Sequence, residues 1–312
     1  MRKSKFKFMD KEEKNVEMVH LSPYMNSVIE RFTADKKRPA VHTYNATLNS
    51  FTKFSGGQGT EEMLVTDVFT AGKLKEYEAW LRSRNASWNT VSTYMRVLKA
   101  VYNRLVEAKR LTYDARLFDS VYTKVEAQSK RSLTEEQMNT LLRTDFEKLP
   151  EDVQNVLAYF LLMFLFRGMP FIDMAYLRKQ DLKEHCITYC RHKTGKKMVV
   201  RIPHEATALF EKCRNKKTDS GYLFPILDET TENEKKLYEN YRQALRTFNR
   251  KLAKMAALLL PGTNISSYTA RHTWATLAFY SGIPIGIISK ALGHSSIKVT
   301  ETYLKPFENE KV

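Results

Sequence analysis

The sequence predicts a mainly α protein with a small antiparallel β-sheet, organised as two domains. Three observations predict it. Apolar residues recur at helical spacing through most of the chain, one short stretch alternates in the manner of a hairpin, and 312 residues exceed one typical domain. Hydrophobic residues at 43% and charged residues at 28% are globular proportions, sufficient for at least one sizeable core.

Residues 1–21 form a basic extension. The first helical domain spans 22–111. Pro23 opens one amphipathic stretch and Pro39 precedes a second; the glycines of FSGGQGTEE then interrupt the pattern. Two further helices are expected, at Ala71 to Ser83 and at Thr90 to Lys109. The latter carries Val91, Tyr94, Val97, Leu98, Val101, Tyr102 and Leu105 on one face. A four-helix unit results. Arg96, Lys99, Arg104, Lys109 and Arg110 fall among the polar positions of its last helix, which suits either a DNA backbone or plain solvent.

Residues 112–131 lack a clear apolar stripe and read as a linker. A second domain, 132–306, opens where Thr134 and Gln137 stand at capping-box spacing. HCITYCRH, KTGKK and MVVRIP read as strand, turn and strand. Helices follow at Glu205 to Arg214 and Lys235 to Leu260, and a tail occupies 307–312.

Several chemistries are excluded. The longest apolar run, Val156 to Phe166, is 11 residues, far short of a membrane span, so no membrane partner is expected and the run is a core helix. The N-terminus lacks the apolar region of a signal peptide, which places the protein in the cytoplasm. Three cysteines, Cys186, Cys190 and Cys213, do not make a disulfide framework. TGKK lacks the first glycine and the Ser/Thr of a phosphate-binding loop, and strand alternation splits His185, Cys186, Cys190 and His192 between two faces, which disfavours zinc. No cofactor is expected. A net charge of +16 instead suggests a polyanionic partner, because neutralising phosphates releases counterions.

The segment SSYTARHTWATLAFYSGIPIGIISKALGHSSIKVTETYLKP carries the chemistry. Ser267 is the expected N-cap of a helix bearing Arg271 and His272. Gly282 ends it, Ile285 to Leu292 is the next helix, and Gly293 ends that one. His294 follows at a junction, with Ser295 and Ser296 as caps of a last helix containing Tyr303. A guanidinium fits two phosphodiester oxygens, a histidine can donate or hold a proton, and a tyrosine hydroxyl is a nucleophile once its charge is compensated. Spacing alone also suits a plainer set: Arg271 on a carboxylate, His294 as a helix cap and Tyr303 as a core aromatic.

These residues resemble the tyrosine recombinase (phage integrase) family. Y-T-A-R-H-T-W-A-T from Tyr268, then Gly282, then L-G-H ending at His294, and Tyr303 nine residues on, match that family's second box and nucleophile spacing. HKTGKK resembles its DNA-reaching hairpin and DMAYLRKQDL the stretch after its first-box arginine, with Asp173 at an acidic position. The helical unit resembles its SAM-like core-binding domain.

The resemblance implies a site-specific DNA recombinase that cuts and rejoins DNA through a 3′-phosphotyrosyl bond, without metal or nucleotide, for integration, excision or inversion. Tyr303 would attack, Arg271, His294 and Arg167 would stabilise the phosphate, and Lys193 would protonate the leaving 5′ oxygen. Asp173 and His272 would support them. It also implies four protomers on two specific double-stranded DNA sites, an accessory DNA-bending protein, and a tail that packs on a neighbour.

Two positions depart from the family. Pro170 stands where the first-box arginine belongs, with Arg167 about one helical turn upstream as its expected substitute. Tyr268 replaces the second-box histidine; its hydroxyl can bond a phosphate oxygen but cannot be a cation. They motivate a rival, a catalytically impaired DNA-binding protein. A type IB topoisomerase is the other rival. The roughly 20 residues before the first helical unit are too few for an extra arm-binding domain, which suggests an invertase or a small mobile-element integrase.

Overall fold

The computed structural model describes residues 18–56, 63–124, 132–228 and 233–304. Residues 1–17 of the basic extension, part of the glycine stretch, residues 125–131 and the tail lie outside them. The chain divides into two compact units after Gln128.

The first unit contains α1 (Leu21–Ala34), α2 (Arg38–Phe54), the single turn α3 (Val65–Val68), α4 (Ala71–Ser83) and α5 (Trp88–Glu107). The expected four helices are present, and α3 is an addition that the interrupted pattern hid. Helix α5 starts before Thr90 because Ser87 Oγ accepts the Thr90 N–H at 3.2 Å, a side-chain N-cap. Leu21, Met25, Phe51, Leu74, Tyr77, Met95 and Leu98 form the core.

The expected linker needs correcting over its first part. Leu117, Phe118 and Val121 are buried in this same core, the Tyr102 hydroxyl donates to the Thr112 carbonyl at 3.0 Å, and Glu78 accepts the Tyr122 N–H at 2.6 Å. Three apolar residues in a turn-rich segment make a real anchor without making a stripe, which is why periodicity overlooks them.

The second unit begins at α6 (Glu135–Leu142), where Thr134 and Gln137 form the expected capping box. The apolar run lies within α7 (Glu151–Leu165), which packs against α9, α10 and α11 as a core helix. Helix α8 (Phe171–Tyr176) follows. Three antiparallel strands come next in the order β1 (Leu182–Lys183), β2 (Cys186–Cys190), β3 (Lys197–Arg201); the expected hairpin is β2–β3, and the two-residue β1 is an addition. Ile187 pairs with Val200 and Tyr189 with Met198, and these four side chains are the buried face.

Helices α9 (Thr207–Cys213), α10 (Glu234–Leu259), α11 (Thr269–Tyr280), α12 (Ile285–Leu292) and α13 (Ile297–Glu301) complete the unit. No helix among the described residues is long and apolar enough to cross a membrane.

Two local expectations fail here. Ser267 does not cap α11: its N–H donates to Asn249 Oδ1 at 2.8 Å, and Tyr268 takes the N-cap position without a side-chain cap. Tyr303 is not inside the last helix. Helix α13 is five residues long, ends at Glu301, and gives way to a tight turn in which the Tyr303 N–H donates to the Thr300 carbonyl at 2.9 Å. Ser296 holds the N-cap position of α13, but its side chain makes no capping bond.

After α7 the chain turns through two left-handed residues, Arg167 (φ 57°) and Gly168 (φ 68°). A Cβ on Gly168 would stand 2.9 Å from the Arg271 backbone of α11, so α7 and α11 approach this closely only because glycine is there. Gly168→Ala should therefore cost about 2–4 kcal/mol, combining left-handed strain with overpacking, seen as a lower urea midpoint at unchanged m.

Candidate active site

Arg271, near the start of α11, is 2% exposed. Its Nη1 donates to the Gly168 carbonyl at 2.9 Å, and its Nη2 donates to the Leu292 carbonyl and lies 3.2 Å from His294 Nε2. One guanidinium thus joins the turn after α7, the end of α12 and the histidine beyond it. No carboxylate among the described residues stands at ion-pair distance from it, unlike the plainer reading of the sequence.

Gly293 ends α12 in the left-handed conformation, and a Cβ there would stand 2.8 Å from Met198 Sδ and 3.3 Å from Arg191 Cδ. The turn therefore lies directly on the hairpin. It delivers His294, buried, whose Nδ1 is 2.9 Å from Thr300 Oγ1 of α13. A guanidinium has donors only, so Nε2 accepts from Arg271 and Nδ1 carries the proton given to Thr300, which assigns the neutral tautomer.

Tyr303 packs with Ala275, Ala278, Ile288 and Leu292, its ring 4.9 Å from that of His294 and 4.5 Å from that of His272, with the Arg271 guanidinium 5.8 Å from its centroid. Thr276 Oγ1 donates to its carbonyl at 3.4 Å. The Tyr268 hydroxyl, on a side chain that is 39% exposed, lies 2.9 Å from the Tyr303 hydroxyl. Tyr268 thus contacts the other tyrosine.

Asp173 of α8 is buried. Its Oδ1 accepts the His192 N–H at 2.8 Å and its Oδ2 lies 3.8 Å from Arg191 Nε, tying α8 to the end of the hairpin. Lys193 is exposed in the hairpin turn, near enough for its charge to act on His294, while Lys196 Nζ reaches the His294 carbonyl at 3.5 Å.

Arg271, His294, Tyr303, Tyr268 and His272 come together. Arg167 does not: its side chain is exposed and makes no hydrogen bond or ion pair among the described residues, and Pro170 is buried at the start of α8. Sequence reasoning overlooked Arg191, which is 4% exposed and donates from Nη1 to the Gly293 carbonyl at 3.1 Å. A signal was present: alternation along β2 puts residue 191 on the inward side with Ile187 and Tyr189, an unusual place for a charge.

Burial, followed by the Arg271 and Arg191 charges, pushes the His294 pKa down to about 4. Burial and the neighbouring Tyr268 raise that of Tyr303, which Arg271 partly offsets. Burial, then the Arg191 charge, lowers that of Arg271. Burial raises that of Asp173 against the His192 N–H and the nearby arginines.

A tyrosine hydroxyl beside a buried guanidinium and a histidine, in a cationic setting, is the equipment for attack on a phosphodiester. The match to family models gives that class a lineage. The Phage integrase family matches residues 131–310 and the phage integrase SAM-like domain matches residues 20–116. The chain belongs to the phage integrase family and is a tyrosine recombinase, an enzyme of site-specific DNA strand breakage and rejoining.

Relatives include tyrosine recombinase XerA of Pyrococcus furiosus, 26% identical over 243 residues and 76% of each chain. Tyrosine recombinase XerC of Rickettsia bellii is 24% identical over 88% of this chain and 90% of its own. Transposase B of transposon Tn554 from Staphylococcus aureus is 28% identical over 75% of this chain and 38% of its own.

Two solved structures share the fold. The Tn1549 transposon integrase with a circular intermediate DNA has a TM-score of 0.64 at 16% identity, covering 94% of this chain and 97% of its own. The lambda integrase dimer on a COC′ core site has a TM-score of 0.66 at 13% identity, covering 94% and 81%.

A pH dependence follows from His294. Its folded pKa is about 4, below the usual 6.5, so between those values the unfolded chain holds a proton that the folded chain refuses. Stability conferred above pH 6.5 is therefore lost as pH falls toward 4, at up to about 1.4 kcal/mol per pH unit. His294→Gln should show a shallower fall than the native protein in urea denaturation across pH 7.5 to 4.5; parallel curves would contradict it.

Proposed function

We propose that Tyr303 is the nucleophile, attacking the scissile phosphate to form a 3′-phosphotyrosyl bond as the bond to the 5′ oxygen breaks. The observation that carries this is the convergence of the Tyr303 ring with the Arg271 guanidinium and the His294 ring. Arg271 and His294 stabilise charge on the non-bridging oxygens, and Lys193 gives its proton to the leaving 5′ oxygen. The raised pKa keeps Tyr303 protonated at neutral pH, with its proton in the hydrogen bond to the Tyr268 hydroxyl, until substrate phosphate arrives. Ligation is the reverse, with the 5′ hydroxyl as attacker. The covalent bond conserves the energy of the phosphodiester, so no metal or nucleotide is required.

The substrate is double-stranded DNA at specific sites, engaged in the cytoplasm by both units, with four protomers on two sites and an accessory DNA-bending protein. Support comes from the net charge of +16 and from the fold shared with the lambda integrase tetramer solved on a Holliday junction. The catalytically impaired reading rested on Pro170 and Tyr268, and adduct formation decides it.

Incubated in EDTA with nicked DNA tiled from its own genomic neighbourhood, the native protein should form a covalent complex on one fragment and Tyr303→Phe should form none. Specific binding without an adduct would favour the impaired binder. Lys193→Ala should lose about 100-fold in cleavage of ordinary DNA. It should recover on DNA with a 5′-bridging sulfur, whose thiolate leaves without a proton donor. Tyr268→Phe should retain the adduct and change its rate and pH profile, because it loses a partner of Tyr303 and no cation.

A further inference from the structure

Two guanidiniums meet at the turn that ends α12. Arg271 donates to the Leu292 carbonyl and Arg191 to the Gly293 carbonyl, so adjacent peptide units hold one from α11 and one from the hairpin, with His294 next in the chain. Both side chains are more than nine-tenths buried, and Nε of each lacks a hydrogen-bond partner. Asp173 is the carboxylate at hand: its Oδ2, also without a hydrogen bond, is 3.8 Å from Arg191 Nε. Two buried cations against one carboxylate leave one positive charge uncompensated, a costly arrangement that an arriving anion relieves. The mutual repulsion that lowers the Arg271 pKa has the same origin.

We propose that Arg191, rather than Arg167, supplies the second guanidinium that binds the non-bridging oxygens of the scissile phosphate. This rests on the recombinase reading of the site. Pro170 offers no donor at the start of α8, and Arg167 stands exposed on a left-handed residue without a partner to orient it. Arg191 reaches the site by another route. It follows β2 directly, and Asp173 steers it by accepting the His192 N–H beside it. The Gly293 carbonyl fixes one end of its fork, leaving the remaining donors for phosphate. The hairpin then supplies both a phosphate clamp, Arg191, and a proton donor, Lys193, two residues apart.

The test uses the full chain and the DNA fragment on which the native protein forms its adduct. A methylphosphonate replaces the scissile phosphate in a second substrate, deleting the negative charge that a guanidinium would neutralise. Arg191→Ala should lose about 100-fold or more in adduct formation on phosphate DNA. On methylphosphonate DNA it should come within about tenfold of the native protein, because the charge to be neutralised is gone. Arg191→Lys, which keeps the charge without the fork, should fall between. Arg167→Ala should stay within about twofold of native. Thermal unfolding midpoints and DNA-binding constants are read alongside.

Equal losses for folded Arg191→Ala and Arg191→Lys on both substrates would show that Arg191 only ties the hairpin to α12, and would overturn the proposal. So would native-like activity of either variant, or loss and methylphosphonate rescue in Arg167→Ala instead. Should Arg191→Ala not fold, the comparison of Arg191→Lys on the two substrates decides alone. No adduct from the native protein on any fragment would overturn the recombinase reading itself, and this proposal with it.

Discussion

The second unit is organised around a buried cation. The Arg271 guanidinium has donors only, and burial obliges them to find acceptors or remain costly. It finds them in the carbonyls of Gly168 and Leu292 and in the ring of His294, groups from three separate stretches of chain. Each partner constrains its own segment: the turn after α7 must come within contact of α11, α12 must end where its last carbonyl faces inward, and His294 must present Nε2 as an acceptor. Functional geometry and fold stability are thus the same set of hydrogen bonds.

That arrangement needs backbone to approach backbone, and two glycines permit it. Gly168 lies against the Arg271 main chain, and Gly293 lies against Met198 and Arg191 on the hairpin. Both also adopt the left-handed conformation. A side chain at either place would push apart the elements that carry the charged groups, so glycine here is a requirement of the site as much as of the turns.

The same electrostatics set the resting state of the nucleophile. A histidine surrounded by arginines and lysines gives up its proton to stay neutral, and a buried tyrosine beside another tyrosine keeps its own. Positive charge is therefore concentrated in groups that neither donate nor accept readily among themselves. It is poised for an anion from outside, which is consistent with a chain that carries 51 basic residues against 35 acidic ones.

The sequence by itself determined whatever short-range periodicity and spacing can express. Helices with long apolar faces, the capping box at Thr134, the β2–β3 hairpin, and the run Arg271, His294 and Tyr303 are all local patterns, so each was legible in order along the chain. What the tertiary structure decided depends on residues far apart. Leu117, Phe118 and Val121 joined the first core because that core had room for them, although no stripe announced it. Tyr268 met Tyr303 across 35 positions, and Arg191 met Gly293 across 102. Arg167, nearer in sequence to the missing arginine, was turned outward by a left-handed backbone. A guanidinium acts wherever packing leaves it, and packing is settled by the burial of the whole unit.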